Sequence, residues 1–408
     1  MKKTALRRYA RLIACMGVNI QKGQEVLLYA SLDQPEFVQI LTEECYRAGA
    51  GKVSVEWNYP SLAKLHARWQ TQKTLSATQD WEKAKLQHMV DTLPARIYLE
   101  SDDPDGLRGI RQPKYSKAIQ ARATVRKPYR DAIEGRHQWC IAGVPGAAWA
   151  KKVHPELSPR QAVEKLWQEI LYVSRADGEE PEQAWREHNQ NLHARCEKLN
   201  SLHLRSLHYT ASNGTDLTVG LMADGVFAAG SDKTDKGVEY NPNIPSEEVF
   251  TSPKAGEAEG IVYATRPLSY MGRLIENFSV RFENGRAVEV HAETGEELLK
   301  TLIAMDDGAA LLGECALIPV ESPISALGTL FYSTLYDENA SCHLALGMGF
   351  EECLRGHEKL SQAEMHQKGV NDSIIHEDFM IGCDSMDIDG VTQSGETVPI
   401  FRHGTWAF

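Results

Sequence analysis

The segment Ser373–Gly382 (SIIHEDFMIG) sets His376 and Asp378 two residues apart in an apolar, strand-like run. Alternation along a strand turns both to one face. An imidazole beside a carboxylate suits a hard or borderline divalent metal, although a polar strand edge would use the same residues. Glu314 opens another apolar run, Gly313–Pro319 (GECALIP), where a buried carboxylate is costly unless it is paired or metal-bound. His343 lies in Asp337–Gly347 (DENASCHLALG). With Asn339 as cap and Gly347 as stop, that stretch predicts a short helix over about 340–346. A lone histidine on an apolar helix is usually a satisfied core residue. Glu247-Glu248, in Asn243–Phe250 (NIPSEEVF), reads as a solvated acidic turn. Cys315 falls on the strand face opposite Glu314 and reads as core. No spacing rule joins these segments, so residue types alone do not assemble a site.

Several familiar arrangements are missing. No G-x-G-x-x-G follows the first expected strand, which leaves a dinucleotide site, and with it a Rossmann-type binding protein, without support. There is no Walker A sequence and no G-x-S-x-G elbow, and neither His357-Glu358 nor His376-Glu377 completes HExxH. Gly143-Val144-Pro145-Gly146 has the composition of a phosphate turn, but a plain strand-to-helix turn is the better reading.

The elements that must position these residues change character along the chain. Strands are expected at Glu25–Ala30, Lys52–Trp57, Ala95–Glu100 and His137–Val144, with helices between them. Pro35 marks a first helical position and Gly49 a helix end. This βαβα rhythm predicts a mainly parallel α/β domain over residues 1–200. Long polar helices are expected from Ser158 to about Arg175 and from Pro181 to about Asn200. Residues 201–408 read as an α+β domain rich in antiparallel strands: Leu204–Ala211, Leu217–Leu221, and a hairpin of Ser279–Glu283 and Arg286–His291 about Asn284-Gly285. A helix is expected near Gly295–Ala304.

Composition bounds the function. The 408 residues are 42% hydrophobic and 25% charged, ordinary globular values. The formal net charge of −12 shows no basic excess for a nucleic-acid backbone. No apolar run approaches the roughly 18 residues a membrane helix needs. Arg7, Arg8 and Arg11 interrupt any signal-peptide core, whereas Leu6, Ala10, Ile13 and Gly17 recur at helical spacing. Eight scattered cysteines with no CxxC pair suggest reduced thiols and a cytoplasmic protein.

Five blocks occur in order: NIPSEEVFTSP, LGECALIP, SPIS…LFYSTLYDENASCHLALG, IIHEDFMIG and DIDGVTQSGETVPIFRHGTWAF. Together with YARLIACMGVNIQKGQEVLL and AGAGKVSVEW near the N-terminus, they resemble the thermophilic metallo-aminopeptidase family, the aminopeptidases T and S. The resemblance covers essentially the whole chain. It implies a cytoplasmic homodimer that uses two divalent ions (zinc, cobalt or manganese) to release N-terminal residues from peptides with a free N-terminus, with no nucleic-acid or membrane partner. It places metal ligands at Glu248, Glu314, His343, His376 and Asp378, with Glu338 as a further ligand or a supporting group. Glu314 and Glu248 become the carboxylates that bridge the metals or carry the proton. The alternative is a divergent member that keeps the metal scaffold but acts on another amide, or acts weakly. One departure stands out. The family pattern has a tyrosine seven residues after the histidine at 343, and this chain has Phe350.

Overall fold

The computed structural model describes residues 2–59, 61–101 and 103–408. The chain divides into two compact units, Met1–Glu187 with Ser231–Pro245, and His188–Gly230 with Ser246–Phe408. It passes between them inside the helix Pro181–Ser201, and residues 231–245 return to the first unit. A single cut near residue 200 takes no account of that return. The helical pattern runs unbroken through 187 and 188, so nothing in the sequence marks the crossing.

The first unit is built on a five-stranded parallel sheet, ordered Asn243–Ile244, Trp139–Gly143, Ala95–Glu100, Glu25–Ser31, Lys52–Asn58. The expected strands are all present, and the returning segment adds the fifth. Pro35 starts the helix Pro35–Arg47, and Gly49, at φ 108°, takes the left-handed conformation that ends it. The N-terminal helix Lys3–Leu12 runs on as a π-turn, Ile13–Gly17, and buries Ala10, Ile13 and Gly17. At Gly146, a side chain would meet the Asp33 carboxylate and Ser101 Oγ. An anionic carboxylate at that point opposes phosphate, so the 143–146 segment is a structural turn into the helix Ala147–Val153.

The second unit carries two antiparallel sheets. The larger has nine strands and includes Leu204–Thr210, Asp216–Leu221, Pro253–Tyr263, Arg273–Glu283 and Arg286–Thr294. The hairpin at Asn284-Gly285 forms as expected, with φ of 50° and 77° at its two central residues. The smaller is ordered His376–Met380, His343–Gly347, Leu312–Leu317, Val249–Thr251, Ala228–Ala229. Its apolar face sends Cys315, Leu317, Leu344, Leu346 and Phe379 into the same core as Leu207, Tyr209, Val219 and Phe282 of the larger sheet. Cys315 is core, as its alternation implies: its Sγ donates to Thr251 O at 3.6 Å, and burial pushes the thiol up to about 12.

The helix expected over 340–346 does not form. Thr334–Asp337 is a single helical turn, Glu338–Ala340 a 3₁₀ turn, and Ser341 is extended at φ −160°. His343–Gly347 then pairs on both sides as a strand buried along its whole length. A short apolar run such as HLALG has no period of its own, so tertiary pairing decides its state. Asn339 caps nothing. It bridges, accepting the Glu247 N–H at 2.7 Å and donating to Leu335 O at 2.9 Å and Glu338 Oε1 at 3.3 Å.

Candidate metal centre

The polar face of the smaller sheet gathers side chains that lie far apart in sequence. Residues opposite one another in antiparallel strands share a face. The register sets Glu314 opposite Ala345 and Ala345 opposite Asp378, and it sets Ala316 opposite His343 and Gly347 opposite His376. Carboxylates and imidazoles thus alternate with alanine and glycine, whose small size leaves room above the sheet. Glu248 joins from the residue before the strand Val249–Thr251, and Glu338 from the 3₁₀ turn.

Glycine allows the strands to close here. A bulge between Leu312 and Glu314 falls at Gly313, where a side chain would strike the carbonyls of Gly347 and Met348. Bulges re-aim neighbouring side chains, and this one precedes Glu314. Gly347 adopts φ 104°, and a side chain there would strike Ile375 O.

Two groups of potential metal donors result, Glu248–Glu314–His343 and Glu314–His376–Asp378, each with its donor atoms within 4.8 Å of one another. Glu314 belongs to both. His343 Nε2 lies 3.4 Å from Glu248 Oε2 and 4.0 Å from Asp378 Oδ1. His376 Nε2 lies 3.1 Å from Glu314 Oε2 and 3.4 Å from Asp378 Oδ1. Each imidazole is oriented through its other nitrogen. His343 Nδ1 donates to Glu338 O at 3.0 Å, and His376 Nδ1 donates to Met348 O at 2.7 Å. This turns both Nε2 atoms towards the cluster, the atoms that a bound metal would take as ligands.

The electrostatics of the cluster call for a cation. Burial, and then Glu314 and Asp378, hold Glu248 well above the usual carboxylate range. Burial, and then Asp378, Glu248 and Glu314, do the same to Glu338. Burial would also raise Asp378, but His376 outweighs it and the net shift is downward. Burial disfavours the charged form of His376, yet Asp378 and Glu314 hold it protonated well above its ordinary value. Protons thus neutralise a crowd of buried carboxylates. Among the described residues, buried Asp378 Oδ1 accepts no hydrogen bond, which is costly unless a cation meets it. The donors are carboxylate oxygens and imidazole nitrogens with no thiolate, a set that suits zinc, cobalt or manganese.

All the residues singled out for chemistry, Glu248, Glu314, Glu338, His343, His376 and Asp378, come together here. The acidic pair Glu247-Glu248 is buried, contrary to its reading as a solvated turn. Three features escape the sequence reading: the bridging role of Asn339, the spacing role of Ala345, and the need for glycine at 313 and 347. Phe350 lies beside the cluster, its ring 4.8 Å from that of His376 and 5.4 Å from that of Phe250. Its N–H donates to Ser252 Oγ at 2.7 Å.

The family model described as thermophilic metalloprotease (M29) matches residues 2–406. The chain belongs to this family. Aminopeptidase AmpS of Bacillus subtilis (strain 168) is 41% identical over 404 residues, covering 99% of this chain and 98% of that protein. Aminopeptidase PepS of Streptococcus thermophilus is 38% identical over 409 residues, with the same coverage. The solved structure of wild-type AmpT from Thermus thermophilus is 37% identical and covers 100% of both chains at a TM-score of 0.91. The resemblance carried by the five sequence blocks is therefore a true membership, and the M29 fold is the mixed α/β architecture described above. Among the described residues, no helix is long and apolar enough to cross a membrane.

Proposed function

We propose that this M29 protein is a metal-dependent aminopeptidase that releases the first residue of peptides with a free N-terminus. The observation that carries the reading is the pair of donor groups sharing Glu314. That arrangement suits two neighbouring divalent ions, with Glu248 and His343 holding one, His376 and Asp378 the other, and Glu314 common to both. Glu338, steadied by Asn339, completes the carboxylate shell. Bound there, divalent ions would acidify a water and polarise the scissile carbonyl.

The chain's own groups do the rest. Glu314 or Glu248 would take the proton of the attacking water and pass it to the leaving amine. The acidic cluster attracts the protonated N-terminus of a peptide and fixes the end from which residues are removed. His343 and His376 donate from Nδ1 to backbone carbonyls, which turns Nε2 of each to the cluster as the atom that would hold a metal.

The protein is read as a cytoplasmic homodimer. Its eight cysteines are all free thiols, as a reducing compartment requires. The helix Ser61–Trp69 exposes Leu62, Leu65 and Trp69, an apolar surface suited to self-association. A second reading, a divergent member with weak activity or another amide substrate, draws on Phe350 where the family pattern has tyrosine. The deciding experiment compares an unblocked peptide with its N-acetylated twin in the metal-loaded protein. The aminopeptidase reading expects the unblocked peptide to be cleaved faster by orders of magnitude. Comparable rates would instead indicate an endopeptidase or amidase.

A further inference from the structure

His376 is aimed by a stretch of backbone that is permissive on its own. Its Nδ1 donates to Met348 O at 2.7 Å, and the Met348 N–H donates to Ile375 O at 2.7 Å. Met348 lies between Gly347 and Gly349, just past the end of the strand His343–Gly347. Glycine reaches conformations closed to other residues, and Gly347 already uses one, at φ 104°. A carbonyl set between two glycines cannot orient a side chain unless something else fixes it.

Asn371 supplies that fixing. It is 6% exposed, and its Nδ2 donates to Gly347 O at 2.5 Å and to Gly308 O at 2.9 Å. Two carbonyl oxygens on one end of the amide settle its orientation, because only the NH₂ group carries two donors. The Asn371 backbone carbonyl also accepts the Gly349 N–H at 2.9 Å. One residue thus grips the glycines on both sides of Met348. Buried Ser252 holds the far end: its Oγ accepts the Phe350 N–H at 2.7 Å and donates to Phe350 O at 3.4 Å. The loop that carries Asn371 is itself anchored, since Asp306 accepts from Ser373 Oγ at 2.8 Å and from the Ile374 N–H at 2.7 Å. His343 is aimed from elsewhere, through Glu338 O at 3.0 Å. The two donor groups therefore rest on separate supports, and Asn371 belongs to that of His376.

We propose that Asn371 is a positioning residue for the metal centre. It fixes the segment Gly347–Phe350 and, through Met348 O, aims His376 at the donor group it shares with Glu314 and Asp378. Supports of this kind change metal affinity by about 10- to 100-fold. The inference rests on the metal-dependent reading of the cluster and adds to it that the two donor groups can be weakened one at a time.

The test titrates cobalt into the metal-stripped wild type and into Asn371→Ala, Ser252→Ala and His376→Ala. Bound ions per chain are counted, and the visible spectrum of the cobalt reports its ligands. Asn371→Ala should hold one of two ions about tenfold or more less tightly and leave the other unchanged. Ser252→Ala should weaken the same ion by less. In the double variant Asn371→Ala/His376→Ala, the remaining ion should bind as it does in His376→Ala alone, because Asn371 acts through the missing imidazole. Val219→Ala, which removes apolar atoms from the core of the larger sheet, is the destabilised control and should bind both ions as the wild type does. Wild-type affinities in Asn371→Ala overturn the proposal, and so does equal weakening of both ions or weakening of the ion that survives without His376. If Asn371→Ala does not fold, Asn371→Asp keeps the shape, replaces both donors with an acceptor and is judged by the same outcomes. A wild type that takes a single cobalt would end the two-ion reading, and the same comparison on that ion still decides for or against Asn371. No substrate is used, so failure of the aminopeptidase reading appears separately, as no hydrolysis of an unblocked peptide by the loaded wild type.

Discussion

At the scale of single residues, the account turns on side chains whose environment makes sense only with a cation present. His376→Ala and Asp378→Ala each remove a donor from the group that shares Glu314. Both should lower metal content and most of the activity while leaving the fold intact, because neither side chain contributes to the apolar core. Elemental analysis beside peptide hydrolysis checks this, and full metal with full turnover in both variants would count against the assignment. Phe350 gives a finer prediction. Its ring packs against His376 but offers no donor. If a hydroxyl at 350 stabilises charge only in the transition state, Phe350→Tyr should raise kcat on the order of 10²-fold with little change in KM. An unchanged or lower kcat with metals retained would contradict that role. The residue types of the site were legible in the sequence, but their grouping was not. Glu248, Glu314, His343 and Asp378 come from separate segments joined only by strand register, which no local spacing encodes. The resemblance to a family assembled them, and residue chemistry alone misread Glu248 as a solvated turn.

At the scale of elements, the smaller sheet works because backbone approaches backbone at Gly313 and Gly347. Gly347→Ala combines a left-handed φ of 104° with a clash against Ile375 O, one residue before His376. It should destabilise the protein by at least about 2 kcal/mol and loosen metal binding. Gly395, at φ 89° with open space around it, isolates the conformational part, so Gly395→Ala should cost only about 1 kcal/mol and leave the metal in place. Denaturant titration and metal content together check the pair, and equal effects would remove the argument for close packing. The parallel strands of the first unit were readable because Pro35, Gly49 and apolar runs of strand length all agree. The strand at His343 was not, because Leu and Ala suit a helix locally and only pairing with Leu312–Leu317 and His376–Met380 decides otherwise.

At the scale of the whole molecule, pH acts on stability and on metal uptake in ways that can be separated. His137 is buried, donating from Nδ1 to Ile133 O at 2.9 Å and accepting at Nε2 from Arg96 at 2.7 Å. Burial, and then Arg96, push it down to about 4. The unfolded chain therefore binds the extra proton between about pH 6.5 and 4, while the folded chain does not. This contribution to stability is fully present above pH 6.5 and is lost as pH falls towards 4, on the order of 3 kcal/mol. His137→Gln should flatten that part of the stability profile, and an unchanged slope between pH 7 and 4 would contradict the reading. The site carboxylates act on uptake instead. Because Glu248 and Glu338 are held protonated well above the usual range without a cation, metal binding must release protons and weaken as pH falls. The central claim, that the donor groups sharing Glu314 hold the divalent ions on which aminopeptidase activity depends, is tested most directly by removing metal with a chelator and titrating zinc, cobalt or manganese back. Bound metal per chain is measured alongside hydrolysis of an unblocked peptide. The account predicts no activity in the stripped protein and recovery that is complete at two ions per chain; full hydrolysis without metal, or recovery that ignores occupancy of this site, would contradict it.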